Sequence, residues 1–331
     1  MSQQGYYKLT LFAALLALCV VLLGAYTRLG DAGLGCPDWP GCYGHIDVPE
    51  EVHEVAAAEQ AFPDRPVEAP KAWKEMVHRY FAGSLGLVIL ALALIRLFSR
   101  QITRPGKALP VALVGLVIFQ AALGMWTVTL LLKPVVVMGH LLGGFATLSL
   151  LWLMVSMQRK WFNYDSSAMA RLKPWAWLGL ILLVAQISLG GWTSSNYAAL
   201  ACTDFPTCHG QWWPDADFGE GFVLWRGLGV NYEFGVLDNP ARVAIHLTHR
   251  IGALVVFLYL AFLAWKVMSV SRGSGRGLGA IIGALLVIQV SLGIANVVLH
   301  LPLANAVAHN GVAALLLLAL VTLTHASSRY R

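Results

Sequence analysis

The sequence predicts an all-α integral membrane protein: eight transmembrane helices, built as two tandem four-helix bundles related by a pseudo-two-fold axis along the membrane normal. Three observations predict this. Of 331 residues, 58% are apolar and 12% charged, against about 25% charged in an ordinary soluble domain, and the mean hydropathy is +0.66. The apolar residues fall in blocks long enough to cross a hydrocarbon core of about 30 Å, which takes roughly 20 residues of helix. The second half of the chain also repeats motifs of the first. These features exclude a soluble enzyme, a disordered tail and a secreted disulfide scaffold. The net charge of +6 follows from Lys and Arg concentrated in loops on one side of a membrane. No basic patch is interleaved with aromatics, so nucleic acid is excluded as a partner and the lipid bilayer is the surrounding medium.

Taken in order, the apolar blocks run over about 9–27, 76–98, 109–131, 134–157, 174–194, 242–268, 278–299 and 302–324. The first lacks a small-residue cleavage site and is followed by seven more, so it reads as a retained helix rather than a secretory signal. One set of tails and loops carries Lys8, Arg96, Arg100, Arg104, Lys107, Arg159, Lys160, Arg171, Lys173, Lys266, Arg272, Arg276, Arg329 and Arg331. That set holds 14 of the 23 Lys and Arg residues, with Asp165 as its sole acid. By the positive-inside rule both termini are then cytoplasmic. Segments 28–75 and 195–241 face outside, and nine acids between Asp31 and Glu68 make the first a solvated loop.

The repeat divides the chain into 1–165 and 166–331. Cys36-Pro-Asp38-Trp39-Pro40-Gly-Cys42 matches Cys202-Thr-Asp204-Phe205-Pro206-Thr-Cys208 at a shift of 166, as does Thr27 with Thr193. Val77-His78-Arg79 matches Thr248-His249-Arg250 at 171, and Gln120-x-x-Leu123-Gly124 matches Gln289-x-x-Leu292-Gly293 at 169. His140 matches His309 at the same shift. Each half has an even number of spans, so the repeats are parallel and their axis lies along the membrane normal.

Of five cysteines, Cys19 lies mid-span and reads as a small core residue. The other four allow three pairings. The repeat favours Cys36–Cys42 and Cys202–Cys208, each half closing its own loop in an oxidising compartment. A structural staple, a redox-active pair and a metal site with His45 or His209 all remain open.

Four of the ten histidines lie inside spans at repeat-related positions: His78, His140, His249 and His309. All four fall near the exterior ends of their helices. Ionisable residues are expensive in a bilayer and usually face the bundle interior, and inward histidines from two helices can hold a haem from both faces. Gly83, Gly86, Gly139, Gly143, Gly144 and Gly252 near these histidines would let a flat macrocycle approach, although close helix packing also uses small residues. The halves differ at one point. Glu75 stands three residues before His78, where the second half has His246 before His249. Spacing i, i+3 puts each pair on one helix face. Glu75 can act as a base or stabilise a cationic intermediate, or be an ordinary acid near a helix N-terminus. Arg79 and Arg250 are placed to pair with haem propionates or to snorkel to headgroups, and His246 to support its neighbouring haem ligand. These features predict a two-haem membrane protein and leave its reaction open.

The run Gly24-Ala-Tyr-Thr-Arg28-Leu-Gly30, continuing into Gly33-Leu-Gly35-Cys36-Pro-Asp-Trp39-Pro-Gly-Cys42, resembles the haem A synthase family. So do the Glu75–Arg79 motif and the four span histidines, and the resemblance covers the whole chain. It implies that haem O is oxidised at a ring methyl to a formyl group through a hydroxymethyl intermediate, giving haem A for cytochrome oxidase. It also implies a haem b cofactor. With the asymmetry above, the half carrying Glu75 becomes the substrate site, with His78 and His140 as axial groups. The other half becomes the haem b site, with His249 and His309 on the iron. The family's paired exterior cysteines map onto Cys36 and Cys42. The implied partners are haem O, the synthase that supplies it and an electron donor, and a homo-oligomer is compatible with the resemblance. The implied location is the bacterial cytoplasmic (inner) membrane. The alternatives are a dihaem cytochrome b passing electrons from quinol, and a membrane haem transporter or chaperone.

Overall fold

The computed structural model describes residues 1–158 and 169–328. Arg159, Lys160, Asp165, Arg329, Arg331 and the boundary between the sequence halves lie outside the described residues. Ten helices are described: α1 (Gln3–Leu29), α2 (Val52–Ala61), α3 (Ala69–Phe98), α4 (Ala108–Thr129), α5 (Pro134–Gln158), α6 (Lys173–Ser195), α7 (Phe218–Gly221), α8 (Asn239–Val270), α9 (Ser274–Val298) and α10 (Leu303–Ser328). All except α2 and α7 are long and apolar enough to cross a membrane, which makes eight candidate spans.

The helices outrun the apolar blocks, because hydropathy marks what lies in hydrocarbon and not where helical hydrogen bonding stops. Helix α3 starts at Ala69, seven residues before its apolar block, with a proline in its first turn where the missing N–H costs nothing. Helix α8 starts at Asn239, where the Asp238 side chain accepts from the Ala241 N–H. Helix α1 begins behind Ser2, whose hydroxyl accepts from the Gly5 N–H. The short α2 and α7 were not anticipated. Helix α2 forms in a polar loop through a capping box between Glu51 and Glu54.

Helices α1, α3, α4 and α5 pack in a closed ring, each against the next, and α6, α8, α9 and α10 do the same. The rings meet through α1 with α10, α5 with α6, and α5 with α10. Helix α10 is the most buried span and α4 the least. At the junction the Trp152 Nε1–H donates to the Thr322 hydroxyl at 2.9 Å. Repeat-related positions share unusual backbone geometry. Asp31 and Tyr197, Tyr43 and His209, Leu131 and His300, and Leu132 and Leu301 all have positive φ. Cys19 departs from its expected place: it is exposed on the outside of α1, because the inward stripe of that helix is taken by Ala13, Ala14 and Ala17.

Beyond the spans, the second loop reaches across to the first ring. Arg28 donates to the Ser194 carbonyl at 2.5 Å and lies 4.2 Å above the Tyr197 ring. Arg65 pairs with Glu233 at 2.7 Å. Tyr232 is buried with Leu34, Val128 and Leu132, and its N–H donates to the Leu131 carbonyl.

Candidate functional site

In the first ring, His78 of α3 and His140 of α5 face each other. Their ring centroids are 6.4 Å apart and nearly perpendicular. Each ring lies against a glycine of a neighbouring helix. A Cβ on Gly24 would sit 3.0 Å from His78 Cε1, and one on Gly124 3.4 Å from His140 Cε1. Both Nδ1 atoms are buried with no side-chain hydrogen-bond partner.

One turn outward, Glu75 is 5% exposed. Its Oε1 pairs with Arg79 at 2.5 Å and its Oε2 accepts from the Cys36 N–H at 3.0 Å. Arg79 also donates to the carbonyls of Pro40 and Gly41. The guanidinium therefore clamps the first cysteine loop onto α3, and the loop in turn hydrogen-bonds the carboxylate. Within that loop Cys36 is bonded to Cys42, and Asp38 accepts from the N–H groups of Tyr43 and Gly44 at 2.7 and 2.8 Å. Burial pushes the Tyr43 hydroxyl above its usual value.

The second ring repeats this plan with different chemistry. His249 of α8 lies against Gly190, and His309 of α10 against Gly293. Here the histidines have polar neighbours. Gln186 Nε2 is 3.0 Å from His249 Nδ1 and donates to its carbonyl at 2.9 Å. His309 Nδ1 is 3.1 Å from the Gln289 carbonyl. His246 takes the place of Glu75, accepting from the Cys202 N–H at 3.2 Å and meeting Arg250 at 3.2 Å. Arg250 donates to the carbonyls of Thr207 and Cys202. Cys202 is bonded to Cys208. Asp204 accepts from the Thr207 hydroxyl and the N–H groups of Gly210 and His209, and these donors hold its carboxyl down to about 2.

These residues fit a haem in each ring. Paired buried imidazoles from two helices of one ring suit the two sides of one iron, and the glycines leave the rings room that a methyl group would take. The fit draws on different glycines from those singled out in the sequence. Gly83 faces open space, Gly86 meets Val117, Gly139 meets Leu123 and Gly144 meets Val21. Gly143 and Gly252 make room for the side chains of Gln120 and Gln186.

The model of the cytochrome oxidase assembly protein family (COX15-CtaA) matches residues 7–321. The chain belongs to that family. Among curated relatives, it is 50% identical over 309 residues to the haem A synthase of Shewanella oneidensis, covering 93% of this chain and 92% of the relative. It is 30% identical to the haem A synthase of Mesorhizobium japonicum, covering 93% and 86%. To that of Rhizorhabdus wittichii it is 26% identical, covering 95% and 92%.

In this member of the cytochrome oxidase assembly protein family, sequence reasoning missed Gly24, Gly190 and the glutamines beside the histidines. A signal was available for part of this. Gln120, Gln289, Gly124 and Gly293 sit inside the repeated Gln-x-x-Leu-Gly motif, and Gly24 and Gly190 share the shift of 166. Gln186 has Val20 at its repeat-related position, so the repeat gave no hint of it.

Proposed function

We propose that this chain oxidises a ring methyl of haem O to a formyl group through a hydroxymethyl stage, giving haem A, as the names of its relatives suggest. The observation that carries this reading is the pair of matched histidine sites, of which one alone has a buried carboxylate a turn away. The first half, 1–165, takes haem O as substrate between His78 and His140. Glu75 stands where it can accept a proton or stabilise positive charge developing beside the ring, and Arg79 and the Cys36 N–H orient it. The second half, 166–331, holds haem b through His249 and His309. When bound there, haem b supplies a one-electron relay. The closed rings of four helices and their meeting at α5 and α10 support tandem bundles related by a two-fold axis along the membrane normal. The charge pattern supports cytoplasmic termini, exterior cysteine loops and a bacterial inner-membrane location. A haem O synthase as supplier and a redox partner outside the chain complete the proposal. A pure electron relay has no use for a carboxylate at one site, and a haem carrier has none for two unequal sites.

Extraction of pigments after coexpression with a source of haem O tests the proposal. The chain yields a haem with formyl absorption. Recovery of haem O and protohaem alone overturns it.

A further inference from the structure

The second loop carries a cluster of exposed apolar side chains. Leu224, Trp225 and Leu228 are 58%, 63% and 71% exposed. Their position is set by contacts with the turn between α4 and α5. Lys133, at the start of α5, is 2% exposed; its ammonium donates to the carbonyls of Arg226 and Gly227 at 2.7 and 3.2 Å and lies 3.3 Å from the centre of the Trp225 ring. Thr129 and Leu130 line a small cleft with Leu228 and Val230. Segment 224–230 therefore lies beside the end of α4, within one turn of Trp126, which is itself exposed on the span surface.

The charges in and beside this segment are satisfied within the protein. Arg226 pairs with Glu220 at 2.5 Å and Glu233 with Arg65 at 2.7 Å, and Lys133 is spent on carbonyls and an aromatic face. What remains outward at 224, 225 and 228 is apolar and aromatic, beside the end of α4. Large aromatic side chains at this level are favoured in the boundary between headgroups and acyl chains. At the repeat shifts of 166 to 171, the corresponding stretch of the first loop, 53–64, carries acids at Glu54, Glu59 and Asp64, which suit water.

We propose that segment 224–230 is seated in the headgroup–acyl boundary of the leaflet on the cysteine-loop side. Leu224, Trp225 and Leu228 enter the lipid, and Lys133 and Tyr232 hold the segment from behind. It is then a membrane contact additional to the eight spans, and it ties the second half to the turn that starts the His140 helix.

A polarity-sensitive fluorophore on Leu228→Cys, in a Cys19→Ser background, tests this in vesicles of phosphatidylcholine and phosphatidylglycerol. The same label on Val52→Cys, a position 86% exposed, is the aqueous reference. Leu224→Cys provides a second reporter should the first substitution disturb the loop. The expected result is blue-shifted emission at 228 and 224, quenching by lipids bearing a shallow nitroxide, and loss of the iodide quenching seen at 52. Iodide quenching equal to that at 52, with no response to nitroxide lipid, overturns the proposal and leaves the surface to a protein partner. Protection from both quenchers also overturns it and assigns the surface to a second copy of the chain.

Discussion

The two rings present one framework with two chemistries. In each, a residue one turn outward from a span histidine accepts an N–H from the first cysteine of a seven-residue disulfide loop and meets an arginine four residues further on. In the first ring that residue is Glu75, bonded to Cys36 and Arg79. In the second it is His246, bonded to Cys202 and Arg250. Architecture is held constant while a carboxylate is exchanged for an imidazole. The histidines differ as well. The Gln186 amide lies 3.0 Å from His249 Nδ1 and the Gln289 amide 3.3 Å from His309 Nε2, whereas the Gln120 amide nitrogen of the first ring has no hydrogen-bond partner. An imidazole fixed by a side-chain hydrogen bond suits a resident ligand. On the proposed function, the repeated framework holds two haem sites, and a few substitutions divide them between reaction and relay.

The comparison breaks first at the axial histidines. His249→Ala or His309→Ala removes the tightly held b-type haem from purified protein, seen as loss of its redox difference spectrum, while His78→Ala leaves that spectrum in place. A normal bis-histidine spectrum in both second-half variants would invert the assignment. The cysteine loops give a smaller effect. Replacing Cys202 and Cys208 together by serine costs about 2 kcal/mol, the loop-closure value for so short a loop, measured by denaturant or thermal unfolding in detergent. Replacing Cys36 and Cys42 costs a similar amount of stability and also lowers haem A formation, because the Cys36 N–H orients Glu75. Equal activity loss from both pairs would erase the difference between the halves.

The smallest effect is a pH dependence confined to the second loop. Asp204 is held below its ordinary value, down to about 2. A carboxyl depressed in the folded state stabilises it above the ordinary carboxylate range, and that contribution fades as pH falls from about 4 towards 2. Amide exchange at His209 and Gly210, corrected for intrinsic rates, is therefore flat from weakly acidic to neutral pH and rises only in strong acid. Asp204→Asn removes the pH dependence. A rise near neutrality would contradict the assignment to Asp204.

Much of this was legible in the sequence because membrane insertion writes itself in long apolar runs and duplication in matched motifs. The eight spans and the residues of both histidine pairs were read there. Helix ends were not, since α3 continues seven residues beyond its apolar block into polar sequence. Neither were the roles that depend on which way a helix turns. Cys19 read as core but faces outward, and Arg79 and Arg250 proved to be engaged by their own cysteine loops. The contacts of Lys133 with Arg226 and of Arg65 with Glu233 join positions more than ninety residues apart, and no local pattern encodes such a meeting.

The central claim is that Glu75 makes the first site a place of chemistry. Glu75→Gln keeps the shape and hydrogen-bonding reach of the side chain but removes its charge and basicity. Pigment chromatography of this variant, coexpressed with a source of haem O, is the direct measurement. Haem A falls by at least about 100-fold, the scale of a lost general base, with the b-type haem retained and the hydroxymethyl form accumulating. Haem A at the wild-type level would contradict the claim and reduce Glu75 to a buried partner for Arg79.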